Sequence, residues 1–306
     1  QFQHVPLTGQ PAAQAQVWHA VAAIGDAMPE VARRQLAQAL QLQPDMVVAH
    51  LLQGELAQRP EERKQHLDAA TTFARTQKLL PWEKVWLQID QARYAGRAAA
   101  ALKLHDVLVK AQPIEPWFYV FRGQANAHLM LPPAVEKARL DFEKAVTIWP
   151  GCRAAWNLLG YVYIAQGKIQ EALNALARYV QLSSPRLANP HDSLAEVLLR
   201  AKRFQDADQE FRTALRLDPG FHPSHVGLGY TLVNVGINFR QPNTVALGHK
   251  ELEIAFAKSP ELHVKVMALK LAVVSFLLEA KHAQAIATLG SLEQYTRQIN
   301  NPEAIA

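Results

Sequence analysis

Apolar residues recur three and four positions apart along most of the chain, and a proline closes most of the runs. Ala207, Phe211, Ala214 and Pro219 show the pattern, with steps of 4, 3 and 5. The first three lie on one helical face, because residues three and four apart are neighbours there. The proline then stops the helix. The same ladder reads Ala32, Leu36, Ala39, Pro44, then Ala69, Phe73, Thr76, Pro81, then Ala101, His105, Leu108, Pro113. It continues as Ala138, Phe142, Ala145, Pro150 and as Gly248, Leu252, Ala255, Pro260. Two weaker copies are Ala172, Leu176, Tyr179, with Pro185 one place late, and Ala285, Leu289, Leu292, with no proline. The eight first positions stand 37, 32, 37, 34, 35, 41 and 37 residues apart.

A second helix precedes each ladder. Trp156, Leu159, Gly160 and Tyr163 form the clearest copy, and Gln166, Gly167 and Lys168 make the turn before Ala172. Leu194, Ala195 and Leu198 precede Ala207, and Leu228, Gly229 and Leu232 precede a turn at Gly236. The unit is therefore helix, short turn, helix, stop. Small Ala or Gly lets two helices approach, and a large neighbour fills the gap. One pair cannot bury its apolar face alone, so successive pairs must stack.

The order Trp156, Leu159, Gly160, Tyr163, Ala172 resembles the tetratricopeptide repeat, whose period is about 34 residues. The resemblance implies an all-α fold, a right-handed α-α superhelix of about eight helix pairs. Its repeats run roughly 14–44, 46–81, 82–113, 115–150, 153–185, 189–219, 222–260 and 262–298, between an N-terminal extension, 1–13, and a tail, 301–306. The run Asn189-Pro190-His191-Asp192-Ser193-Leu194-Ala195-Glu196, with Arg203-Phe204, Asp218-Pro219-Gly220-Phe221 and Pro81-Trp82-Glu83-Lys84, resembles a group of bacterial tetratricopeptide proteins. Many of those are exported, and others form the sensory part of a regulator. Three stretches break the period and read as surface loops: 59–62, 131–134 with Pro132-Pro133, and 237–244 with Arg240-Gln241-Pro242-Asn243.

Composition narrows the function classes. The 306 residues are 49% hydrophobic and 19% charged, which excludes compositional disorder. No apolar stretch reaches the roughly 18 residues a bilayer span requires. The net charge of +5 is scattered among acids with no dense basic run, so no nucleic-acid stripe is expected. Cys152 stands alone and reads as a packing residue. Gln1 in place of Met fits a removed signal peptide or a trimmed chain, and a periplasmic or secreted location is expected, with the cytoplasm as the alternative.

No phosphate loop, nucleophile elbow or zinc-protease motif is present, so neither an enzyme nor a cofactor is expected. His222 and His225 form an i, i+3 pair, but no carboxylate or Cys stands at a partner spacing. They read as residues of a helix start, and no metal is expected. Asp192 and Glu196 form an i, i+4 carboxylate pair, with Asp192 read as an acid of the first helical turn.

The resemblance also implies that the first helix of each pair lines a concave groove. Its register places partner-binding groups at Asn157 and Tyr161, at Asp192 and Glu196, and at Val226 and Tyr230 with Asn234 one turn on. Trp86, Asp90 and Tyr94 follow in the third repeat, Phe118, Arg122 and Asn126 in the fourth, and Lys270 in the eighth. Aromatics beside single polar groups suit a peptide or helix. Tetratricopeptide modules that grip a C-terminal carboxylate carry Asn at both inward positions. Asn157 matches the first, Tyr161 replaces the second and no matching Lys precedes them, so that clamp is absent. In the aromatic run Trp117-Phe118-Tyr119-Val120-Phe121 the five large side chains cannot share one face.

The chain thus reads as a non-catalytic scaffold for a protein or peptide partner. The alternative is the sensor region of a larger bacterial signalling protein that binds a small ligand. Gln284, Thr288, Ser291, Gln294, Gln298 and Asn300 suggest a polar cap on the last helix. Val17, Trp18, Val21 and Ile24 suggest that the N-terminal helix is the adhesive end through which copies could associate.

Overall fold

Each helix begins or ends where the sequence supplies a physical reason. In this computed structural model, which describes residues 2–57 and 59–300, every described element is an α-helix. The side chains of 298–300, and with them the expected capping groups Gln298 and Asn300, lie outside the description, as do Gln1 and the 301–306 tail. The contacts divide the chain into two compact units, with the boundary between Gly167 and Lys168.

The first unit holds α1 (Pro11–Gly25), α2 (Pro29–Leu42), α3 (Val47–Glu55), α4 (Pro60–Thr76), α5 (Pro81–Tyr94), α6 (Ala98–Ala111), α7 (Pro116–Ala127), α8 (Pro132–Ile148) and α9 (Arg153–Ala165). The second holds α10 (Ile169–Leu182), α11 (Ala188–Arg200), α12 (Phe204–Leu217), α13 (His222–Asn238), α14 (Pro242–Lys258), α15 (Leu262–Leu278) and α16 (His282–Asn300). Within each unit, helices joined by a short turn pack as pairs, and each pair packs on the next.

A shared turn makes the pairs. Ala27, Gly96, Met130, Lys202, Arg240 and Ala280 have φ between 53° and 70° and stand between the two helices of a pair, and Gly167, with φ 72°, follows α9. The following residue then bonds back across the helix end: Met28 N to Ala23 O at 2.9 Å, Arg203 N to Leu198 O at 2.9 Å, and Gln241 N to Gly236 O at 2.7 Å. This satisfies carbonyls left open at the helix terminus. Five of the seven residues carry a side chain, which is why glycine spacing does not reveal the motif.

A second device joins successive pairs. The stop prolines Pro44, Pro113, Pro150 and Pro219 leave carbonyls that the sixth following side chain reaches. His50 Nε2 donates at 2.9 Å, Tyr119 Oη at 3.2 Å, Trp156 Nε1 at 2.9 Å and His225 Nε2 at 3.3 Å. His225 Nδ1 also lies 2.6 Å from Glu251 Oε2, so this histidine ties a helix start to its partner helix, as expected. Among the described residues no group of His, Cys, Asp and Glu could hold a metal.

The ladder residues form the core. Ala32, Leu36, Ala39, Ala138, Phe142, Ala145, Ala172, Leu176, Tyr179, Ala207, Phe211 and Ala214 are fully buried. Two ladders depart. In α4 the buried residue is Ala70 rather than Ala69, and Thr76 is exposed. In α16 Leu289 is 46% exposed, and among the described residues no helix follows α16. Close approach explains two glycines: a Cβ on Gly229 would stand 2.8 Å from Gly248 O, and one on Gly248 would stand 2.6 Å from Gly229 O. Only bare backbones allow α13 and α14 to meet there.

Two expectations need correction. The stretches read as surface loops are largely helix, and only Arg59, Leu131 and 239–241 stand outside it. Pro60, Pro132 and Pro242 each begin a 17-residue helix, a first-turn position where proline loses no bond. The turn between α13 and α14 is only 239–241. The N-terminal helix is not an exposed adhesive end, since Val17, Trp18 and Val21 are 0%, 7% and 1% exposed. At the other end, Leu277, Leu278 and Ile286 are 51%, 55% and 69% exposed, so α15 and α16 carry bare apolar side chains.

Candidate functional site

The N-terminal extension straps the first unit. Glu115 is fully buried at the start of α7 and accepts bonds from Val5 N at 3.1 Å and Trp117 N at 3.2 Å, with His4 Nδ1 at 3.2 Å. Glu83, equally buried, accepts from Thr8 N at 2.7 Å and Leu80 N at 2.9 Å. Trp18 Nε1 donates to Val5 O at 3.2 Å, and Val5 and Leu7 are buried. The extension therefore covers Trp18 in the same way that a bound extended segment would.

The first helices of this unit then close on themselves. The end of α1 meets the start of α9: Arg153 bonds the buried Asp26 carboxylate, and a Cβ on Gly25 would stand 2.6 Å from Ala154 Cβ. Burial, opposed by Arg153, pushes the Asp26 carboxyl up from 3.8 to about 6. Inside the closure lies a cavity of about 850 Å³. Its lining comes from α1, α3, α5, α6, α7 and α9. Trp86, Ile89, Leu108, Trp117 and Val120 are its buried walls, while the exposed Arg93, Ala98, His128 and Leu129 mark its mouth.

His105 lines the cavity at 6% exposure. Burial, then the charges of Arg93 and Arg122, push it down from 6.5 to about 4, so it is neutral near pH 7. Arg93 pairs with Glu55, and both line the cavity, which leaves these wall charges balanced.

The expected partner-binding residues scatter. Trp86 and Asn157 line the cavity. Phe118 is fully buried, edge-on to Trp86 at 5.9 Å, and cannot meet a partner. Asp90 is buried 3.7 Å from Arg93, and burial and the Glu55 charge hold its carboxyl well above the ordinary value. Arg122 is held by Asp141 at 2.5 and 3.0 Å and Asp106 at 2.9 Å. Asn126 is buried and bonds back to Arg122 O at 3.1 Å. Arg122 thus faces the second helices α6 and α8, while Phe118 packs between the first helices α5 and α7. Tyr94 remains exposed under Arg63, whose guanidinium lies 5.9 Å from the ring, and Tyr161 is exposed at 38%.

In the second unit Asp192 is buried and lies one turn inside α11 rather than in its first turn. Ser224 Oγ donates to it at 2.6 Å, and burial plus the Glu196 charge raise its carboxyl. Val226 is buried as well. Glu196, Tyr230 and Asn234 are half-buried and Lys270 is exposed. Asn234 Nδ2 donates to Tyr230 O at 2.8 Å. First helices α11, α13 and α15 pack side by side, which sets Glu196, Tyr230 and Lys270 at one register of three neighbours.

Sequence reasoning named His105 as a core rung and Trp117 only as part of an aromatic run. It did not foresee the cavity, whose other walls, such as Leu102 and Ala125, carry no motif.

A tetratricopeptide repeat family model matches residues 135–186. Anaphase-promoting complex subunit 7 of Dictyostelium discoideum is 28% identical over 97 residues, which are 32% of this chain and 16% of that protein. The chain thus spans about a sixth of the length of that relative. Among solved structures, MamA of Desulfovibrio magneticus RS-1 is similar at 18% identity and a TM-score of 0.49, over 56% of this chain and 94% of that one. TTC0263, a protein of Thermus thermophilus, is similar at 18% and 0.45, over 72% and 100%. A tetratricopeptide repeat is thus matched over residues 135–186, and among the described residues every element is an α-helix, paired with its neighbour within each unit.

Proposed function

We propose that the chain is a non-catalytic interaction scaffold that holds a peptide or protein partner on the first-helix layer of its second unit. The observation that carries this reading is the row Glu196, Tyr230 and Lys270. Three different chemistries (acid, aromatic and base) stand at one register on adjacent helices, and none is buried. A segment crossing the layer would meet them in succession, with Tyr230 giving area and the charges giving orientation. Tyr161 and Tyr94 in the first unit are separate surface groups of the same kind. The fold itself suggests protein–protein interaction, and no helix among the described residues is long and apolar enough to cross a membrane.

The test is affinity capture from host extract with the parent chain and with a Glu196→Ala, Tyr230→Ala, Lys270→Ala variant whose helicity matches the parent. Loss of a captured partner in the variant supports the reading. Equal capture by both chains refutes the site.

A further inference from the structure

We propose that the cavity of the first unit is a binding site for a small, uncharged and largely apolar molecule. This stands apart from the partner surface of the second unit. A volume of about 850 Å³ lies within the range of small-molecule pockets, about 300–1,000 Å³. The cavity's deep walls, Ile89, Leu108 and Val120, are buried while its mouth is open, so it is a cleft that a small molecule can enter.

The walls define the chemistry. Trp86, Trp117 and Phe121 provide aromatic faces, with Leu102 and Ile24 between them. The lining charges Glu55 and Arg93 neutralise each other, and His105 is neutral, so a net charge on the ligand would find no counter-charge. The contact of α1 with α9 closes the space laterally and disfavours an extended peptide running through it.

The test uses Nile red, a neutral apolar fluorophore, titrated into the intact chain and followed by its blue-shifted emission and by quenching of tryptophan fluorescence. One saturable site per chain is expected. Two independent filling variants, Ala125→Trp and Leu102→Trp, should each weaken binding at least tenfold while keeping parental helicity, so one suffices if the other misfolds. Ile286→Lys with Leu289→Lys, on the bare face of α16, should leave it unchanged. Three outcomes would overturn the proposal: no saturable binding to the parent, equal binding by a folded filling variant, or loss of the site in the α16 variant.

Discussion

Asp26→Asn is expected to stabilise the first unit at neutral pH, although it removes half of an ion pair. Asp26 is 2% exposed, and its carboxyl titrates near 6 in the folded chain against 3.8 when unfolded, even with Arg153 bonded to it. The folded state therefore holds the proton over a window in which the unfolded state has lost it. Stability falls as pH rises from about 4 to 6, and the full cost is present above that. At about 1.4 kcal/mol per pH unit the cost is on the order of 3 kcal/mol. Asparagine keeps the shape and an acceptor for Arg153 while deleting the ionisation. The Arg153 side chain is 32% exposed and remains hydrated, so little is lost on its side. Urea unfolding followed by tryptophan fluorescence at about pH 7.5 and about pH 4.5 measures this. The variant should exceed the parent by roughly 1–3 kcal/mol at the higher pH, with the gap shrinking at the lower. A variant less stable at both values, or a gap independent of pH, would refute the reasoning.

Other outcomes follow from single contacts. Phe211→Ala, at a fully buried ladder position, should lose about 3–5 kcal/mol in urea unfolding. Lys202→Gly should raise stability by up to about 1 kcal/mol, since φ there is 59° and only glycine adopts it without strain. His66 and His105 are both pushed below 6.5, chiefly by burial, so their neutral forms are favoured in the fold; stability should drop as pH falls through 6.5, and His105→Gln should shrink that drop in thermal melts. Glu115→Ala should release the strap, read as faster hydrogen exchange at the Val5 amide, with Trp18 emission shifted to the red.

The repeat was legible because each rung needs one small and one large residue at fixed spacing, as in Ala207 and Phe211. The turns were less legible, since Lys202 and Arg240 take the left-handed conformation without glycine to announce it. Prolines at 60, 132 and 242 looked like loop residues because a proline permits a helix start and a helix stop equally; only packing decides between them. The inward register does not reveal that Phe118 and Asp192 are buried. It says which way a side chain points, but packing between distant helices decides whether water or another helix lies there. A close approach such as Gly25 against Ala154 is encoded by no local motif.

An open solenoid is close to one-dimensional, because each repeat touches only its neighbours, and its ends can fray repeat by repeat. The first unit breaks that rule. Arg153 reaches back 127 positions to Asp26, and the strap binds Glu115 across 110. Losing α1 would strand the start of α9 and uncover α7 at once. Residues up to 167 should therefore melt as one cooperative block, with no detachable first repeat, and truncating the chain from its N-terminus should cost the whole block rather than one pair of helices.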